Sequence, residues 1–421
     1  MQTTFALKGN LVYTPVCGEL AQHPDSYLVC ENGTVAGVFD MLPERYRGIP
    51  VEDYGDKLIL PGFVDLHVHA GQYAYRGLGM DMELLDWLEQ NAFPEESRFA
   101  EEAYAEAAYR IFVDALLHST TTRASIFATL HRPATLRLMQ LLDQAGLPCY
   151  VGKVNMDRNS PDYLRETTEQ SLAETRRWLE ESGDFRLVHP ILTPRFTPSC
   201  TDALMAGLGR LQREFGVPMQ SHLSENLSEI AWVQELCPGT RFYGEAYAQF
   251  GLFGGDCPTV MAHCVWSGEE ERALMKETGV FIAHCPQSNM NVSSGIAPVK
   301  QYLREGQKVG LGSDVAGGVH LSILRAMTDA IQCSKLRWRL VDQDTPALTV
   351  PEALYMATKG GGAFFGKVGS FEPGYEFDAV VMDDSNLPTT RTCTLTERLE
   401  RIVYLSDGRP CAKYAAGRKL F

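Results

Sequence analysis

The sequence predicts an α/β protein: a (β/α)8 barrel of the TIM type with a small β-sandwich domain built from both chain termini. Two observations lead to that class. From Pro61 onward, short apolar runs alternate with helical patterns, as parallel strands joined by crossover helices do, and about eight such runs can be counted. The stretches before and after this region read instead as short strands and turns. At 421 residues and 45% hydrophobic, the chain can bury one large core plus a smaller attachment.

Taken in order, the first 60 residues contain NLVYTP and SYLVCENGTVAGVF, where Asn32-Gly33 has the composition of a two-residue hairpin turn. KLILPGF then leads into the barrel. Its predicted strands are FVDLHVHA, TTTRASIF, CYVGKVNM, LVHPILTPR, PMQSHLSE, TVMAHCVW, VFIAHCP and KVGLGSDV. Between them EESRFAEEAYAEAAYRIFVDALLHS and SPDYLRETTEQSLAETRRWLEESG read as helices. In the second, Ser160 is the predicted N-cap, Pro161 stands in the first turn and Gly183 near the end. A further helix is predicted to start at Ser267, which has capping-box spacing to Glu270. The closing segments GSFEPGYEFDAVVMDDS and RIVYLSDGRPCAKYAAGRKLF return to strands and turns. Residues 1–60 plus 369–421 are therefore expected to form the composite sandwich, and residues 61–368 the barrel.

Composition narrows the partners. The formal charge is -15, from 53 acidic and 38 basic residues, which disfavours a nucleic-acid backbone or an anionic membrane and favours a small neutral or cationic ligand. The 11 cysteines include no CxxC pair, so free thiols in a reducing cytosol are expected rather than a disulfide framework. Cys264 and Cys285, although beside motif residues, read as small buried core thiols. MQTTFALKGNLVYTP lacks the basic start and apolar stretch of a signal peptide, and no run approaches the roughly 20 apolar residues of a membrane span. The expectation is a soluble, cytoplasmic protein.

Five residues point to chemistry. His67, His69, His222, His263 and Asp314 each stand near the C-terminal end of an apolar, strand-like run. In an extended chain, Asp65, His67 and His69 share one face while Val64, Leu66 and Val68 share the other. Barrel enzymes place their chemistry at the C-terminal ends of their strands, so these side chains can converge on one metal. Neutral imidazoles with a carboxylate suit zinc, with iron and manganese as alternatives. His23, His118, His131, His189 and His320 have no such pattern and read as structural or surface residues.

The strings PGFVDLHVHAGQYAYRG, LLDWLEQNAFPEE, TTTRASIFATLH, VGKVNMD, TPRFTPSC, QSHLSENLSEI, MAHC, AHCPQSNMNVSSG and GLGSDVAGG carry a further signal. Through them the chain resembles the amidohydrolase superfamily and, more closely, its guanine deaminase family. HxHAxQY, TPRF and SHxSEN are specific to that family, whereas GxDxxGG and HCPxSN are shared with wider relatives. The resemblance implies that His67, His69, His222, His263 and Asp314 form the metal site and that Glu225 shuttles protons. It also implies that Gln72, Arg195 and Phe196 hold a purine, and that guanine is hydrolysed to xanthine and ammonia, commonly with zinc, in a homodimer. In binuclear relatives a bridging lysine belongs on the fourth strand; here that strand carries Arg195 and the lysine, Lys153, is on the third. One Zn2+ per subunit is expected, with Fe2+ the alternative.

Residue chemistry fits these expectations. Glu225, three residues after His222, is placed to take a proton from an attacking water and pass it to the adjacent ring nitrogen. Asp314 has two roles open to it, metal ligand and second proton shuttle, and His263 can serve the metal or the substrate. Arg195 offers donors to a purine carbonyl, Gln72 a donor and an acceptor, and Phe196 a face for stacking. His284, at the end of the seventh predicted strand, is expected at the pocket rim or just behind the residues that line it. Arg123, where a small residue is expected, and Cys264-Val265-Trp266, in place of a glycine-containing string, leave strict guanine selectivity open. The competing readings are a related amidohydrolase acting on another aminopurine, a pterin or an s-triazine, and a non-catalytic barrel scaffold. The zinc deaminases that carry HxE and PCxxC are set aside because neither string is present.

Overall fold

Strand pairing at the N-terminus begins with turn chemistry. In the computed structural model, which describes residues 4–421 and so leaves residues 1–3 of the first predicted segment outside it, β1 (Thr4–Tyr13) pairs antiparallel with β2 (Ala21–Glu31). β2 turns into β3 (Thr34–Phe39) through Asn32 and Gly33, at φ 54° and 84°, the left-handed pair that Asn-Gly adopts readily. β4 (Val51–Pro61) runs parallel to β1 and delivers the chain to Phe63.

Ten short parallel strands follow: β5 (Phe63–His69), β6 (Thr121–Phe127), β7 (Cys149–Gly152), β8 (Val154–Asn155), β9 (Val188–Pro190), β10 (Thr193–Pro194), β11 (Met219–Leu223), β12 (Thr259–His263), β13 (Phe281–His284) and β14 (Lys308–Leu311). All eight predicted runs contain strand, the third and fourth each in two pieces. They form sheets β5-β6-β7-β9 and β11-β12-β13-β14, with β8 paired to β10. The fourth run divides because it serves both sheets: Ile191 N–H donates to Val151 O, while Leu192 N–H donates to Pro218 O and Leu192 bridges Met219. At the other edges, Asp314 N–H donates to His67 O at 2.8 Å and His69 N–H to Val315 O at 3.1 Å. One apolar cluster joins Val64, Leu66, Ile191, Val260, Phe281 and Phe364, so the two sheets share a core.

Helices connect successive strands, but three of their boundaries differ from expectation. The run predicted over 95–119 splits into Phe93–Ser97, a 3-10 turn and Glu102–Leu117, because Glu101 is extended at ψ 114°. The next helix begins not at Ser160 but at Thr168: Thr167 and Gln170 form a reciprocal capping box, while Ser160 Oγ donates to Arg158 O. The third, Glu269–Thr278, has Gly268 as its N-cap and no side-chain cap from Ser267. Among the described residues, no helix is long and apolar enough to cross a membrane.

β15 (Ala379–Met382), β16 (Ala412–Ala415) and β17 (Arg418–Lys419) return to the N-terminal strands in one seven-stranded sheet, ordered β17-β16-β15-β4-β1-β2-β3. RIVYL, grouped with strands and turns in the sequence reading, is instead the end of the helix Leu395–Leu405. Thr394 and Glu397 form its capping box, and Leu399, Ile402 and Val403 bury one helical face against the helix Ile323–Leu340.

Candidate metal centre and binding cavity

Period-two geometry on β5 puts His67 and His69 on one face, with their Nε2 atoms 3.2 Å apart. β11 contributes His222, β12 ends on His263, and Asp314 lies three residues beyond β14. Asp314 Oδ1 is 3.1 Å from His67 Nε2 and 3.3 Å from His69 Nε2, and its Oδ2 is 3.6 Å from His263 Nε2. Ligand-type atoms of His67, His69 and His222, and of His67, His263 and Asp314, lie within 4.8 Å of one another. The backbone bends sharply to achieve this: Ser224, His263, Cys264 and Asp314 all take positive φ, at 46°, 73°, 48° and 46°. Such conformations store strain of order 1–3 kcal/mol each and gather where a site overrides local preference.

The residues fit a divalent ion. His67 Nε2 lies 3.2 Å from His69 Nε2 and 3.1 Å from Asp314 Oδ1, a spacing that would let these atoms share one ion. His222 Nδ1 is 2.6 Å from Arg195 O and His263 Nδ1 is 2.9 Å from Asn289 Oδ1, so each Nδ1 carries the proton and each Nε2 is left as a bare lone pair. His263 Nε2 is buried with no hydrogen-bond partner. Burial pushes His67 down to about 4 and, with the other imidazoles, holds His222 well below its usual range. Burial raises Asp314, but His67 and His69 outweigh it and hold the carboxyl well below the usual range. Neutral imidazoles beside an ionised carboxylate are the protonation states that metal ligation requires. Behind them, Asp65 accepts from Ser313 N and Oγ and from His67 N, tying the Asp314 segment to β5.

Glu225 is buried beside this cluster, its Oε2 3.4 Å from His263 Nε2 and its Oε1 accepting from Ser294 Oγ at 3.0 Å. Burial, helped by the Asp314 charge, pushes its carboxyl up to about 8. It stands outside the helix Leu227–Leu236: Asn226 is the N-cap and Glu229 closes the capping box, also accepting from Glu225 N.

A cavity opens over the cluster, lined on its polar side by His69, Gln72, Arg195, His222, Glu225, His263 and Asp314. Its apolar side is Phe196, Val292 and a cap of Leu84, Trp87 and Leu88. Phe196 meets Trp232 edge-on with ring centroids 6.2 Å apart. Arg195 Nη1 lies 2.6 Å from Glu96 Oε2, with its guanidinium carbon 5.0 Å from the Phe93 ring centroid.

Four expectations change or sharpen. Arg123 faces away from the cavity, its Nε 2.7 Å from Asp378 Oδ2 and its Nη2 2.6 Å from Glu376 Oε2, so it joins β6 to the C-terminal segment. Trp266 does not line the cavity; its indole N–H donates to Ser294 O at 2.7 Å, behind the serine that holds Glu225. Of the two places expected for His284, the structure gives the one behind the lining: it ends β13, buried, with neither ring nitrogen hydrogen-bonded, and it is not among the lining residues. Lys153 pairs with Glu166 at 2.7 Å, outside the cluster. Sequence reasoning did not single out Glu96, Ser294 or the apolar cap. Glu96 closes the string LLDWLEQNAFPEE and opens a predicted helix, but no role was assigned to it, and Glu95 beside it is the same residue type.

The pattern of the amidohydrolase family matches residues 58–413. The guanine deaminase of Dictyostelium discoideum is 41% identical over 380 residues, spanning 88% of this chain and 84% of its own. That of Escherichia coli strain K12 is 35% identical over 391 residues, spanning 90% and 86%. Among solved structures, the guanine deaminase from C. acetobutylicum, with guanine bound in its active site, is 47% identical, covers 100% of both chains and superposes with a TM-score of 0.97.

Proposed function

The chain belongs to the amidohydrolase family, and from that premise we infer that it hydrolyses guanine to xanthine and ammonia. The observation that carries this reading is the convergence of four imidazoles and Asp314 beside buried Glu225, with Gln72 and Arg195 across one cavity.

We propose His67, His69, His222, His263 and Asp314 as the ligands of one Zn2+ per subunit, with Fe2+ the alternative; the donor set of imidazoles and one carboxylate supports this. Such an ion, when bound, supplies an acidified water, lowering its pKa from 15.7 to about 7. Glu225, whose Oε2 is 3.4 Å from His263 Nε2, would as the carboxylate accept that water's proton and deliver it to the ring nitrogen next to the amino-bearing carbon. Asp314 Oδ2, close to His263 Nε2, is placed to accept the second proton and return it to the departing ammonia. Arg195 donates to the purine carbonyl, Gln72 offers a donor and an acceptor, and Phe196 covers the ring face. His263 also faces the cavity and contributes to substrate contact.

The same proposal closes the two parallel sheets into a (β/α)8 barrel over 61–368, supported by the backbone hydrogen bonds at both joints. The termini, 1–60 plus 369–421, fold as a sandwich. In support, Phe5 on β1 stacks on Tyr414 on β16 with centroids 5.9 Å apart, where a flat sheet would separate strands three places apart by about 14 Å. A homodimer in the cytoplasm completes the proposal, and the eleven free cysteines suit a reducing compartment.

The test is turnover by the purified, metal-loaded protein on guanine, adenine, cytosine, 8-oxoguanine and pterins, with stoichiometric metal measured alongside. Xanthine and ammonia released in equal amounts, with guanine preferred, is the expected result. Preference for another ring would replace the substrate, and protein without stoichiometric metal or turnover would return the scaffold reading.

A further inference from the structure

Glu96 is only 2% exposed, yet it is not among the candidate ligands and does not line the cavity. Its Oε1 accepts from Gln72 Nε2 at 2.7 Å and its Oε2 from Arg195 Nη1 at 2.6 Å. Gln72 is held from its other end too, its Oε1 accepting from Ala316 N–H at 3.0 Å. Phe93, on the same short helix as Glu96, lies against the Arg195 guanidinium.

We propose that Glu96 is a positioning residue: by accepting from both side chains it fixes the amide direction of Gln72 and the place of Arg195, and so sets the cavity's preference for a purine bearing a ring carbonyl. The proposal rests on the guanine-hydrolysing function above. An unanchored glutamine amide can turn over and exchange its donor for its acceptor, which would erase discrimination between a carbonyl and an amino group on the ring. Here the turned amide would set its NH2 against Ala316 N–H and its oxygen against the Glu96 carboxylate, losing two hydrogen bonds. Among the described residues the carboxylate is also the only ion-pair partner of Arg195, whose burial without one would be strongly unfavourable.

The substitution Glu96→Gln tests this because an amide cannot accept from two donors placed on its two ends. With the oxygen turned to Arg195, the new NH2 faces the Gln72 NH2; with the oxygen turned to Gln72, it faces the guanidinium. One contact is lost in either arrangement. Dissociation constants for hypoxanthine, which keeps the ring carbonyl but has no amino group to remove, and for unsubstituted purine are measured by calorimetry on the metal-loaded protein. In E96Q the hypoxanthine constant is expected to rise about 10- to 100-fold, and that for purine less than about threefold, with guanine turnover losing more in KM than in kcat. Equal losses for both ligands would mark general loosening and overturn the proposal. In the double variant Q72E/E96Q every contact again has one donor and one acceptor, so it should melt no lower than E96Q, and it should fold even if E96Q does not. A lower melt, or failure to fold, would also overturn it. Absence of guanine turnover by the wild type would strike the proposed function instead, whatever the two ligands do.

Discussion

The Glu225 side chain takes no part in the helix start, because its neighbours have taken that over. Asn226 caps the helix Leu227–Leu236 and Glu229 closes the box, leaving the Glu225 carboxyl to face His263 and Ser294. Glu225→Gln keeps the side-chain volume and can still accept from Ser294, so it should fold and hold metal as the wild type does while kcat falls about 10²–10⁴-fold. Wild-type kcat in a metal-replete E225Q protein would remove Glu225 from the reaction. The orphaned Nε2 of His263 and the close imidazoles lead to a second expectation: chelation should abolish turnover and lower Tm, with both restored by one equivalent of Zn2+. An unchanged melt in the metal-free protein would show that the ion does not stabilise this cluster. The five candidate ligands were legible because each side chain closes a strand-like run. Glu96 was not, because its role depends on two residues from distant strands.

At the level of elements, the site is built by close approach of β14 to β5. A Cβ added at Gly312 would lie 2.7 Å from Cys285 Sγ and 3.0 Å from His67 Cβ, with no positive φ to complicate the backbone. Gly312→Ala should therefore cost about 1–3 kcal/mol in denaturant unfolding and leave substoichiometric metal after purification, since His67 must shift. Full metal occupancy at wild-type stability would mean that the joint has slack. Strands were readable because burial on both faces makes them continuous apolar runs, and the Asn32-Gly33 turn because its dihedral demands are local. Helix starts were less so. Ser160 and Thr167 both satisfy the N-cap preference, and the choice fell to Thr167, which has Gln170 to reciprocate. RIVYL carries β-branched residues, yet Leu399 and Ile402 at helical spacing found an apolar partner in the helix Ile323–Leu340.

Across the whole molecule, two buried basic side chains tie the C-terminal segment to the region of the parallel strands and their helices. Arg123 on β6 bonds Asp378, whose side chain is fully buried, so Arg123→Met removes its charge partner and leaves it the hydrogen bond from Ala416 N–H. A loss of about 3–5 kcal/mol in chemical denaturation is expected, with KM for guanine within about twofold of wild type because Arg123 does not line the cavity. A large KM change would return Arg123 to the question of selectivity. Lys413 on β16 donates to Leu116 O and Leu117 O, at the end of the helix Glu102–Leu117, and burial pushes its amine from 10.5 down to about 7. Between those two values the unfolded chain binds more protons than the folded one, so this residue makes stability rise with pH. The Tm of the wild type minus that of Lys413→Met should accordingly grow between pH 7 and 10. A difference that stays flat would show that the two carbonyls keep the amine charged.

From its sequence alone this chain announces parallel strands, the residues that close them and the family to which it belongs, since strand burial, turn dihedrals and motif spacing are written within a few residues of one another. Tertiary structure decided which partners the buried charged groups meet. Arg123 was drawn out to Asp378, Glu96 in to Gln72 and Arg195, and Glu225 apart from the helix that follows it. Desolvation and pairing energies depend on what surrounds a side chain in space, and for these groups the partners lie on strands and segments far away along the chain.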